Sequence, residues 1–194
     1  MAASSERATH EVENQPPALP ETNLFLSDRA LVEALEREGG AYGRGAGRDR
    51  AVALGERVGS DEVRDWARLA NRNAPELRTH DRHGHRIDRV DFHPAWHSLM
   101  SLAVGHAVHA LPWIEPEPGA HATKAALAFL MNQGENGVCC PMAMTFAAVP
   151  ALDAEPALAR DWVPRIVSTE YDPRFMPAGE KAGAIIGMAM TEKQ

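Results

Sequence analysis

Apolar residues recur at helical spacing along most of this chain, and a proline or glycine bounds nearly every run. That pattern restricts the fold to short helices packed around a shared interior. Ala30, Leu31, Ala34 and Leu35 lie on one face of a helix expected over 27–38, with Ser27 as its cap and Gly39-Gly40 as its stop. A short helix is expected over 50–58, closed by Gly59, and Ser60-Asp61 opens another that aligns Val63, Trp66, Ala67 and Ala70. Pro94 suits the first turn of a helix over 94–110, along which Leu99, Leu102, Ala103, Ala107 and Ala110 repeat. An Ala-rich helix is expected over 119–134; Pro141 opens one through 148, and Pro156 opens one ending near Val167. The stretch 42–50 is rich in Gly and Arg and reads as a flexible connection. Between Arg78 and Phe92 the pattern changes, and Asp81-Arg82-His83-Gly84 is a turn signature able to join two segments as a small hairpin.

The last stretch behaves differently. Ala184-Ile185-Ile186-Gly187-Met188-Ala189-Met190 is apolar and rich in small side chains, and it runs into Thr191-Glu192-Lys193-Gln194. It reads as a strand beginning near Ala184. Small residues let a backbone approach a flat ligand, and a Thr at a strand end offers both N–H and hydroxyl. Left without a partner, such a strand would be an exposed apolar edge, so the chain reads as the front portion of a larger protein. The expected fold is mainly α: a helical bundle with a small hairpin and the first strand of a β-domain cut short. The expected layout is a flexible arm at 1–21, a helical domain at 22–182 and the start of the β-domain at 183–194.

Composition narrows the function. A chain of 194 residues with 44% apolar and 24% charged residues holds one domain with a core. Its net charge of -7 argues against a broad basic surface for phosphate backbones. Cys139 and Cys140 are adjacent, and neighbours seldom pair, which points to reduced thiols and a cytoplasmic setting. No apolar run approaches the ~20 residues that span a bilayer, so no membrane partner is expected.

Other chemistries fit the residues less well. His80, His83 and His85 lie close together, and His93/His97 and His106/His109 can share helix faces. Without a Cys-x-x-Cys or another compact ligand set, no metal site is assigned. Gly43 to Arg48 lacks the preceding strand and the Gly-Lys-Ser/Thr finish of a phosphate loop. Neither cysteine has a base placed beside it in the sequence, so no nucleophile is assigned.

Several separated motifs carry a family resemblance. Asn23-Leu24-Phe25-Leu26-Ser27-Asp28, Leu69 to Leu77, Phe92-His93-Pro94-Ala95-Trp96-His97, Cys140 to Ala148 and Gly187 to Gln194 occur in order. Together they resemble the amino-terminal region of AidB-type, acyl-CoA dehydrogenase-like flavoproteins, over about residues 22–194. The resemblance implies an amino-terminal helical domain followed by a β-domain and a carboxy-terminal four-helix domain. It implies FAD as cofactor, acyl-CoA or DNA as partners, a homotetramer, and a role in the response to DNA alkylation. Met188, Met190, Thr191, Glu192, Lys193 and Gln194 match the start of the FAD-contacting segment. Met144, Thr145 and Phe146 match a helix beside the substrate cavity. The family's catalytic base comes from the carboxy-terminal domain, so no catalytic residue is assigned, and this chain alone is expected to be inactive. The alternative is a non-catalytic helical interaction module that associates with DNA-repair or flavoprotein partners.

Overall fold

Polar side chains start the first helices of the computed structural model, which describes residues 13–189. Asn23 accepts the Phe25 and Leu26 N–H groups and opens α1 (Leu24–Ser27). Asp28 accepts the Leu31 N–H and opens α2 (Arg29–Glu38). The expected cap was Ser27. That residue instead ends α1, and its hydroxyl turns back to the Leu24 carbonyl at 3.4 Å.

The flexible connection expected at 42–50 is helical. α3 (Gly40–Arg44) and α4 (Ala46–Val58) occupy it, with Gly40 at φ +55° turning the chain out of α2. The glycines serve contact rather than mobility. A Cβ on Gly43 would strike the Leu35 carbonyl, and one on Gly47 would strike the Thr123 hydroxyl. Ser60 caps α5 (Asp61–Arg72) as expected.

The hairpin is present. β1 (Glu76–His80) and β2 (Arg86–Asp91) pair antiparallel, with Leu77 opposite Val90, and Gly84 takes φ +85° in the turn. Next, α6 runs Pro94–Gly105, five residues short of the expected end. Ala107, at φ +55°, leaves the right-handed helical region and breaks the run before a short α7 (Leu111–Ile114). Three helices complete the body: α8 (Ala120–Gly134), α9 (Cys139–Leu152) and α10 (Pro156–Ile166).

The core sits where α4 and α8 cross. Leu54 and Val58 meet Leu127, Leu130 and Met131, and α6 adds Leu99, Met100 and Ala103, all essentially removed from water. The strand expected from Ala184 is not formed over 184–189. A strand needs a ladder partner, and no described segment pairs with these residues; their backbone donors go elsewhere. Among the described residues no helix is long and apolar enough to cross a membrane.

Candidate functional site

The segment after α10 is tied down at successive points. His109, 1% exposed at the turn after α6, lies with its Nε2 3.1 Å from the Ser168 carbonyl. Tyr171 places its hydroxyl 2.7 Å from His97 Nδ1, and burial pushes its pKa up to about 12. Asp172 accepts two bonds from the Arg174 guanidinium, at 2.6 and 2.9 Å, and one from the Ala182 N–H at 3.3 Å. The Arg174 hydrogen bonds, then those from backbone N–H groups and the Arg174 charge, hold the Asp172 carboxyl well below the usual carboxylate range. The Ala184 N–H then donates to the Arg165 carbonyl at 3.2 Å, and Ile185 packs against the core.

α9 holds the next stretch. Thr145 is fully buried on this helix, and its hydroxyl accepts the Ile186 N–H at 3.1 Å. Beside that bond Met144, Ala147, Ala148 and Leu152 line a groove with Gly187 and Met188, of about 280 Å³. On the other flank of the same segment Leu158, Trp162 and Ala178 line a second groove, of about 340 Å³. Among the described residues neither groove has an ionisable side chain in its wall. The surface is therefore weakly solvating, with a floor of alanines that admits a flat body at close range.

The residues expected at the site separate accordingly. Met144 and Met188 meet at one groove, and Thr145 pins its rim from within. Phe146 is turned away. It stacks on Trp113 at 4.9 Å, its carbonyl accepts the Trp113 indole N–H, and Lys124 Nζ sits 4.2 Å from its ring centre. Met190, Thr191, Glu192, Lys193 and Gln194 lie outside the described residues.

Three of the histidines have structural work. His93 caps α6 through the Ala95 N–H, while His97 and His109 hold the 168–171 segment. No cluster of three or more His, Cys, Asp or Glu suited to a metal occurs among the described residues. Burial raises the Cys139 thiol pKa, opposite to what a nucleophile requires. The His109 anchor escaped sequence reasoning because its partner is a backbone carbonyl 59 residues away, whereas the Asp172–Arg174 pair is local and was overlooked.

Comparison with known proteins agrees with this architecture. A family model described as "Adaptive response protein AidB N-terminal domain" matches residues 14–173. The Escherichia coli (strain K12) protein named "Putative acyl-CoA dehydrogenase AidB" is 46% identical over 188 residues, covering 96% of this chain and 34% of the relative. The chain thus spans about a third of that relative's length. Among solved structures, Bd2924 in its apo form superposes with a TM-score of 0.71 at 26% identity, over 77% of this chain and 30% of that one. Caenorhabditis elegans ACDH-11, solved with C11-CoA, superposes at 0.69 and 24% identity over 88% of this chain and 30% of its own, a likeness of fold. By its family match and its identity to the bacterial relative, this chain belongs to the AidB amino-terminal domain family.

Proposed function

We propose that this chain supplies the helical amino-terminal wall of an FAD-dependent, acyl-CoA dehydrogenase-like protein of the DNA-alkylation response type. The observation that carries the reading is the Thr145 hydroxyl accepting the Ile186 N–H, which fixes an apolar, alanine-floored groove against Met188. The uncharged, small side chains that line the groove among the described residues support one face of a flavin ring as its occupant. Met188 would border the ring, and Met190, Thr191, Glu192, Lys193 and Gln194 would continue the contact from outside the described residues. Bound FAD would supply a hydride acceptor.

The residues of this chain have positioning duties. Thr145 holds the segment in register, Met144 lines the groove, and Phe146 buttresses α9 from behind through Trp113. No residue here is assigned as the base, so the isolated chain is inactive, with the helical domain at 22–182 and the β-domain starting at 183. The relative's length accommodates the remaining flavin contacts and the helices of a homotetramer. Acyl-CoA is the favoured partner because a superposable fold was solved with an acyl-CoA, and DNA follows from the alkylation-response reading. The unpaired Cys139 and Cys140 support a cytoplasmic setting.

The test is retention of flavin. The chain is mixed with excess FAD and desalted, beside a longer version continued through a β-domain and a carboxy-terminal domain. The longer protein should stay yellow at about one flavin per chain while the short one emerges colourless. Full retention by the short chain, or none by the long one, would overturn the proposal.

A further inference from the structure

A larger cavity, of about 570 Å³, lies between β2, α6 and residues 168–185, and it shares no lining residue with the α9 groove. Its volume is that of a small-molecule pocket. One wall is aromatic. Phe92 stacks on Trp96 at 4.0 Å and 20°, and Tyr171 stands edge-on to the indole at 6.5 Å. The 2.7 Å bond between Tyr171 and His97 holds that wall in place. Met100 and Val104 of α6, each 1% exposed, add apolar depth together with Ile185. Phe175 lines the cavity as well and is 68% exposed, a large apolar side chain left in water.

The charges around this wall are mostly committed to one another. Arg89, Arg174 and Lys181 line the cavity beside Asp88, Asp91, Glu170 and Asp172. Asp172 is paired with Arg174, and Asp91 with Arg89. Two guanidiniums outside the lining complete the pairs, Arg86 on Asp88 and Arg78 on Asp91. Lys181 and Glu170 remain, one of each sign, and neither has an ion-pair partner within 4.0 Å among the described residues. A charged ligand of either sign therefore meets one free partner and one free opponent, while its own desolvation still costs. The Tyr171 hydroxyl and His97 Nδ1 satisfy each other. What the cavity offers without reserve is apolar and aromatic surface.

We propose that this cavity binds an uncharged planar aromatic molecule. The ring lies against the Phe92–Trp96 wall, and Met100, Val104 and Ile185 cover apolar surface that the wall does not reach. Aromatic rings in offset or edge contact gain more than the burial of their area alone, so a saturated body of the same skeleton is held less well. A charge on the ring gives up hydration that no net counter-charge in the lining replaces. The site is independent of the flavin reading, since none of the residues assigned to that groove lines it.

The indole N–H of Trp96 gives a site-specific probe. Its cross-peak in a proton–nitrogen correlation spectrum is assigned from the Trp96→Phe variant. The full chain is titrated with neutral 1-naphthalenemethanol, with its saturated counterpart decahydro-1-naphthalenemethanol, and with the ions 1-naphthoate and 1-naphthylmethylammonium. The neutral arene should shift the peak saturably, with a Kd below about 1 mM. The saturated alcohol and both ions should each bind at least about threefold more weakly. Phe92→Leu keeps an apolar side chain but removes one ring of the wall, and it should weaken the arene about three- to tenfold. The ranking of the four ligands on the unaltered chain decides the matter even where that variant fails to fold. The proposal is overturned if the neutral arene does not saturate, if the saturated alcohol or either ion binds as tightly, or if a folded Phe92→Leu binds the arene unchanged.

Discussion

Thr145 joins two distant parts of the chain through a single hydroxyl, and its replacement isolates that bond. Thr145→Val keeps the side-chain shape but removes the acceptor for the Ile186 N–H. A fully buried backbone donor left without a partner costs about 1–3 kcal/mol, and the half-buried Ile186 N–H should lose about 1 kcal/mol. Urea unfolding should show that loss, and hydrogen exchange at Ile186 should accelerate; an unchanged exchange rate would mean the bond is not formed in solution. His109 offers a pH reading. Burial holds its imidazole below the ordinary value, and the bond to Ser168 opposes the shift only in part. The unfolded chain then takes the proton more readily, so stability is complete above about pH 6.5 and is lost as pH falls toward the depressed folded value. Burial depresses His97 and His106 in the same direction. The melting temperature should therefore fall from pH 7 to pH 5, and His109→Gln should flatten part of that slope. A steeper slope in the variant would contradict the assignment.

At the scale of elements, the start of α2 separates two readings of one motif. Asp28, not Ser27, carries the capping bond. Asp28→Ala should destabilise by about 1 kcal/mol, whereas Ser27→Ala should change chemical-denaturation midpoints little. Equal losses would point back to Ser27. Both residues are acceptable caps, and the local sequence does not distinguish them; the extra turn formed by Leu24–Ser27, held by Asn23 against Val52 of α4, moves the start by one residue. The glycines of 39–47 illustrate a similar limit. Gly favours loops when it is free, but here Leu35 and Thr123 lie too close for any side chain at Gly43 and Gly47. Such proximity is a property of packed helices and has no signature in sequence spacing.

Across the whole molecule, stability is unevenly distributed. The α4–α8 crossing contains fully buried Leu54, Leu127 and Leu130, and Leu127→Ala should cost about 2–5 kcal/mol in an unfolding titration. The β1–β2 ribbon has every β1 residue exposed, with Leu77 and Val90 open to water. Two strands alone are marginal, so amides of β1 and β2 should exchange well before those of α8. Exchange of both at one rate would indicate that the ribbon is held by contacts beyond its own ladder.

What the amino-acid order determined unaided was the class of fold and most of its punctuation. Apolar spacing, Pro94 and Pro156 at helix starts, Ser60 as a cap and the Asp81–Gly84 turn act over a few residues, so short-range chemistry suffices. Only the tertiary structure decided where 184–188 would lie, that Met144 and Met188 would share a groove while Phe146 turned toward Trp113, and that His109 would serve a carbonyl 59 residues away. Those outcomes depend on which surfaces meet once the helices pack, and the partner in each case comes from a remote part of the chain.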